Sequence, residues 1–561
     1  MAARWNRLCA LALAIAPLGS VSSAIAAESP SSYAALEVLF KDWRAFEEPT
    51  LKADVPDYGR EAMQRKAEAL PLWQKRLAAI DTKNWPVTEL TDYRLVKAEM
   101  NGLDFNLRVL KPWARDPAFY VSIWPYQTDV PLREGPASYP EIQLYKFSFP
   151  LSAADQKLLT RQIGAIPAFL DQARTNLKDA NARDLWLWSV QELEGQVRAL
   201  TQLEQGTLTV ASLDGRKKAD MAGAGKPLRT AITNARVASE SFVAWVKAQA
   251  PGKTGPSGVG KENYSWYLQN VHFVPYSWED EVTLLRRELE RAQAALLLEE
   301  HNNRNLPQLE PVADAAAYDR LAHDRLDKFV DFLVKQDIIP DKPYLRKSLE
   351  PQLGGYVPPE KRVFFAHVTH REPMLLLSHD YHWIDLSRMR AEPHASAIRR
   401  AQLLSNIWDN RAEGFATAFE EVLMHAGLYD DNPRARELVW IMLANRAARG
   451  LASLYVQSNE WTLEQAGRFH AEWTPRGWAG ARDELTAFEQ LLYLRQPGYG
   501  TSYVVGKILL DRLLADYGQQ QFKAGKPFEL KGFMSRFNDA GMIPMMLIEA
   551  EMVPSGITAG K

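Results

Sequence analysis

Apolar residues recur at helical spacing along most of this chain, and that periodicity restricts it to a mainly α architecture. Residues 281–300 show it best, with leucines and alanines on one face and acids and bases on the other. Comparable patterns cover 33–46, 60–80, 153–177, 182–205, 318–336, 399–428, 434–456, 463–472 and 503–517. Two Gly/Pro/Lys-rich stretches, 214–227 and 250–260, read as exposed loops flanking one helix. Residues 362–370 (Arg-Val-Phe-Phe-Ala-His-Val-Thr-His) are rich in β-branched and aromatic side chains and are the one clear strand candidate.

The chain opens with Arg4 and Arg7, an apolar run from Leu8 to Leu18, and the small-x-small triplet Ala24-Ile25-Ala26. Residues 1–26 therefore read as a secretory signal peptide whose apolar run is too short to span a bilayer. The single cysteine, Cys9, lies inside it and lacks the small-residue context of a lipidated cysteine. A mature chain without cysteine excludes disulfides and thiol catalysis, so packing must hold the fold. The reading is a secreted protein, placed in the periplasm, with no membrane span. A net charge of −2 over 561 residues argues against a nucleic-acid surface, which needs a basic excess to release counterions. Residues 27–561 read as one large helical domain, since no hinge-like tract or repeat interrupts the patterning.

The chemistry concentrates between residues 379 and 420. His379-Asp380-Tyr381-His382-Trp383-Ile384-Asp385 places two imidazoles three residues apart, and Glu413 follows on the next long helical pattern. On a helix, with about 100° per residue, His379 and His382 lie about 60° apart and face the same way. Two imidazoles and a carboxylate are donors that zinc takes. The expected ligands are His379, His382 and Glu413, with Asp385 as a fourth donor and Asp380 as the adjacent general base. His367, His370 and His394 belong to the same histidine-rich region, and they offer the alternative of a wet cleft that binds ligands without metal.

Several ordered matches then accumulate. Tyr267-Leu268 and Pro275-Tyr276-Ser277 precede the helix at residue 281; Glu413-Gly414-Phe415-Ala416 is followed by Glu420; Arg446-Ala447-Ala448-Arg449, Ser502-Tyr503-Val504-Val505-Gly506-Lys507 and Gly541-Met542-Ile543-Pro544 come later. From about Trp85 to Met552 the chain resembles the bacterial domain-of-unknown-function family 885, whose members look like helical zinc peptidases with HExxPGHH and EGWAxYxE motifs. The resemblance implies a mainly α, zincin-like (gluzincin-like) fold with a small β-element beside the active-site helix, and zinc as cofactor. It implies Tyr503 as a donor to the developing oxyanion and Arg446 and Arg449 as substrate-binding groups, to which the histidine-rich region adds His367 and His370. The implied activity is hydrolysis of short peptides or amino-acid amides.

The departures fall on the motif itself. Without gaps, Asp380 stands in place of the glutamate, Trp383-Ile384 in place of Pro-Gly, and Asp385 in place of the second histidine. Ser453 and Gln457 stand where the family has Asp and His. Two readings follow: a metal-dependent hydrolase, or a pseudopeptidase that keeps the cleft and binds peptides or small ligands.

Overall fold

Four long helices build the centre of the molecule, and their local sequences explain where each begins. A computed structural model describes residues 32–132, 138 and 141–553; the leader read over residues 1–26 lies outside them. Trp278–Asn302 starts on a capping box, with the Ser277 hydroxyl accepting from Asp280 N and the Asp280 carboxylate accepting from Ser277 N. This accounts for the Pro-Tyr-Ser segment ahead of that helix. Tyr499–Lys523 follows Gly498, whose φ of 90° turns the chain out of the preceding helix, Glu484–Arg495. Asp409–His425 packs along Tyr499–Lys523, and Pro433–Gln457 packs along Trp278–Asn302 and Tyr499–Lys523. Residues 409–420 and nearly all of Pro433–Gln457 are buried, so these are core helices rather than amphipathic surface helices.

The closest approach in this group is backbone to backbone. A Cβ at Gly414 would stand 2.3 Å from Gly506 Cα, and one at Gly506 would stand 2.2 Å from Asn410 O. Neither obstacle is a flexible side-chain end, so the helices themselves must part. Gly414→Ala is therefore expected to cost about 3 kcal/mol, the upper end for an overpacked core. Urea unfolding measures it, and an unchanged midpoint would contradict this account of the interface.

The large core unites the first helices (Tyr33–Glu47, Arg60–Ala78, Val87–Phe105) with most of the chain after residue 259, while Ala452, Val456, Leu463, Ala466, Leu491 and Leu494 join Ala182 and Leu185 in a small separate cluster. Ala153–Asn176, Arg183–Gln205 and Lys226–Gln249 enclose a second apolar cluster of their own. Strands are few and short. Leu51–Lys52 pairs antiparallel with Val55–Pro56, Ile123–Trp124 parallel with Ile142–Gln143, and Thr209–Ser212 antiparallel with Gly215–Lys218. Among the described residues no helix is long and apolar enough to cross a membrane.

Three local expectations are corrected. Residues 362–370 do not form a strand. After a 3₁₀ turn at Pro359–Lys361 they enter a helix, Phe364–Thr369. Phe364 and Val368, four residues apart, are both buried on one helical face, and that burial outweighs the β-propensity of the segment. The small β-element expected beside the histidine helix is therefore absent at that position. The pattern over 399–428 is not one helix either: Ala397–Arg400 and Asp409–His425 are separated by a turn in which Ser405 and Asn406 hold φ of 56° and 47°. Left-handed residues cannot continue a right-handed helix, and Asn406 is held there by a 2.7 Å bond to Gln496. Finally, the stretch 214–227 read as loop contains a hairpin strand, Gly215–Lys218.

Candidate metal centre

His379 ends the helix Met374–His379, and His382 sits in the first turn of the next, Tyr381–Ala391. The regular helix expected through this segment is broken at Asp380 (φ −63°, ψ 5°), where Trp383 N donates to Asp380 O in a tight turn. The two imidazoles converge nevertheless, with ring centroids 4.9 Å apart. His382 Nε2 lies 3.2 Å and His379 Nε2 3.5 Å from the same oxygen, Glu413 Oε2. One ligand atom from each of His379, His382 and Glu413 can be chosen so that all lie within 4.8 Å of one another. Two imidazoles and one carboxylate at that separation fit a zinc ion and leave it a further open position.

The surrounding groups orient this trio. Tyr499 donates its phenolic hydrogen to Glu413 Oε1, the oxygen turned away from the histidines. Glu420 lies two turns along the helix from Glu413, and its Oε1 is 3.5 Å from His379 Nδ1. Arg446 grips both Glu420 oxygens at 2.7 Å and places Nη2 3.1 Å from the same Nδ1. The two neighbours ask for opposite tautomers: Arg446 donates to a bare Nδ1, whereas Glu420 accepts from Nδ1–H. With the proton on Nδ1 facing Glu420, Nε2 is left free toward Glu413, the carboxylate–histidine arrangement that supports a metal ligand.

The electrostatics follow from burial and from these pairs. Burial opposes ionisation of Glu413, but His382 and His379 overcome it and hold the carboxyl well below its ordinary range. Burial works against a charged His382, yet Glu413 carries the imidazole up to about 9. Burial first, and Asp129 second, push Asp380 up to about 8. Tyr503 is held protonated by burial and by the Glu413 charge. Its ring stacks on His379 at 6.1 Å, and the Arg449 guanidinium lies 4.3 Å above it.

Not every expected group joins. Asp385 is directed elsewhere, with Oδ1 2.9 Å from Arg388 Nη2 and Oδ2 3.1 Å from Arg411 Nη1; those arginines overcome burial and keep it ionised. It is thus satisfied as a structural anion rather than placed as a fourth ligand. Arg446 is committed to both oxygens of Glu420, and Arg449 is ion-paired through Nη1 with buried Glu489. His367 stacks on Trp478 at 5.5 Å, and His370 Nε2 accepts from Val357 N at 2.8 Å; both serve packing around Phe364–Thr369. His394 Nδ1 accepts from Ser396 N at 3.0 Å. Ser453 and Gln457 are structural too: Ser453 Oγ donates to Gly450 O, and Gln457 bonds Tyr493 O, Leu494 O and Val259 N. Tyr499, Glu420 and Asp129 carry parts of the site that spacing did not assign. Tyr499 is four residues before Tyr503 and Glu420 seven after Glu413, so shared helix faces were the available signal.

These features define a class: a mainly helical protein with a buried His₂Glu cluster whose members are oriented by further buried charges. The family model described as "Bacterial protein of unknown function (DUF885)" matches residues 45–334 and 382–552, and the chain belongs to that family. The stretch between the two matched parts, residues 335–381, includes His379 and Asp380. Two solved structures share the fold. A candidate lipoprotein of unknown function from Shewanella oneidensis is 14% identical with a TM-score of 0.65, covering 93% of this chain and 100% of that one. A candidate lipoprotein from Colwellia psychrerythraea is 15% identical with a TM-score of 0.61, covering 93% and 97%. No curated protein matches the chain.

Proposed function

We propose that this chain is an exported, metal-dependent hydrolase of short peptides or amino-acid amides, built on a zincin-like helical scaffold. The observation that carries the reading is the convergence of His379, His382 and Glu413, whose ligand atoms lie within 4.8 Å of one another, with His382 and Glu413 buried. When bound, zinc supplies carbonyl polarisation and acidification of water. The chain's own residues supply the rest. Glu420 and Tyr499 fix the orientation of His379 and Glu413. Asp380 takes the proton released as water attacks, and Tyr503, kept protonated, donates to the oxyanion that develops on the carbonyl.

Asp380 also favours a second reading, a pseudopeptidase that binds peptides without turnover. Its side chain is one methylene short of the glutamate in the family motif, and its raised pKa leaves it mostly protonated near neutrality. A peptide-library cleavage assay on zinc-loaded protein, with and without chelator, separates the two. Chelator-sensitive cleavage that disappears in His379→Ala is expected for the hydrolase. Binding of peptides with no cleavage and no chelator effect selects the pseudopeptidase, and a metal-free protein after zinc loading removes the metal from either.

A further inference from the structure

Beside the cluster lies a cavity of about 280 Å³ lined by Asp129, Glu192, Trp383, Phe488, Leu491 and Arg495, among others. Three features tie it to the site. Trp383 is the residue after His382 and forms part of the wall. Asp129 lines the same cavity as Trp383. Leu491 and its neighbour Leu492 belong to Glu484–Arg495, the helix whose Glu489 holds Arg449 under Tyr503.

The cavity's charge is one-sided. Asp129 and Glu192 are half-buried, and neither is hydrogen-bonded or ion-paired to a cation among the described residues. Arg495, the one cationic side chain of the wall among the described residues, is ion-paired with Asp116 at 2.6 Å. Among the described residues, therefore, two carboxylates without a paired cation face a space walled by Trp383 and by Phe488, which is 43% exposed. Carboxylates beside aromatic faces form a setting that attracts organic cations, by charge-assisted hydrogen bonds and by the ring quadrupole. An anionic or neutral polar group gains nothing comparable there.

We infer that this cavity is a cation-selective subsite, seating a positively charged group of the substrate next to the reacting bond. The inference rests on the proposed peptide-hydrolysing site for its location, but not on turnover for its test. An α-ammonium and a lysine or arginine side chain share the required chemistry, and the probes below tell them apart.

The test is calorimetric titration of the purified chain with three probes: leucyl-glycinamide with a free amino group, its N-acetylated form, and N-acetyl-lysyl-glycinamide. At least one cationic probe should bind about tenfold or more tightly than the neutral one, the size expected of one charge-assisted hydrogen bond. The preference should shrink as salt is raised and vanish in the double variant Asp129→Asn/Glu192→Gln. Both substitutions are near-isosteric at half-buried positions, and an unchanged melting temperature confirms that the variant is folded. A preference for leucyl-glycinamide assigns the subsite to the α-ammonium; a preference for the lysyl probe assigns it to a side chain. Equal affinity for all three, no binding by any, or a preference that survives the double variant overturns the inference. A preference found in a protein that cleaves nothing leaves the subsite standing and removes only the hydrolase reading.

Discussion

Glu413→Gln should leave the protein unable to retain a metal ion. Glu413 is the only carboxylate in the trio, and its Oε2 is the atom on which both histidines converge. The amide keeps the volume of the side chain, and Tyr499 can still donate to its oxygen. What disappears is the negative charge. Loss of an outer partner of a ligand typically lowers metal affinity about 10- to 100-fold, and loss of a ligand's charge should exceed the upper figure. Elemental analysis after zinc loading and exhaustive dialysis is expected to show about one equivalent in the parent and none in the variant. Retention of a full equivalent by Glu413→Gln would mean that the metal, if any, sits elsewhere. The substitution has a second readout in the metal-free protein. Glu413 is what carries His382 up to about 9 against burial, so without it the imidazole should be neutral at pH 7. In linkage terms, a histidine raised from 6.5 to about 9 contributes stability that is present below 6.5 and lost as pH rises through 9. That contribution should be missing from the variant's pH–stability curve.

The two histidines and Glu413 were legible because each half of the pattern is local. A spacing of three residues keeps imidazoles together even when the helix breaks between them, as it does at Asp380. The break itself left no sign in the sequence, which has neither proline nor glycine there. Asp385 has the right spacing from His382 and the wrong neighbours: Arg411 comes from another helix, and its claim on that carboxylate is a tertiary fact. The same holds for Arg446 and Arg449, whose partners, Glu420 and Glu489, lie on other helices. Long periodic segments such as Trp278–Asn302 were readable because many residues vote for one period. The segment Phe364–Thr369 was not, since six residues rich in Phe and Val satisfy a strand pattern as well as a helix pattern until burial decides. The kinked turn at Ser405 and Asn406 depends on Gln496, ninety residues downstream, and no local pattern encodes it.

Asp380→Glu is expected to raise the hydrolytic rate by about a hundredfold, the reverse of what is usual at a catalytic position. The aspartate is half-buried at the joint between two helices, directly after one proposed ligand and two residues before the other. A carboxylate there is one bond short of the glutamate position, a retreat of roughly 1.3 Å. Misplacement of a catalytic group by about 1 Å can cost on the order of a hundredfold in rate. The raised pKa adds a second handicap. With burial and Asp129 holding the group at about 8, the proposed base would become available only as pH rises through that value. Cleavage of dipeptide amides by the zinc-loaded parent should therefore climb between pH 7 and 9, and Asp380→Asn should abolish the climb. Asp380→Glu should cleave faster across that range while binding zinc equally well. If the glutamate variant gains nothing and Asp380→Asn loses nothing, Asp380 is not the base. If instead an inert parent becomes active with the added methylene, the chain is a pseudopeptidase in which the reach of one carboxylate limits turnover, and the rest of the site has been kept in working geometry.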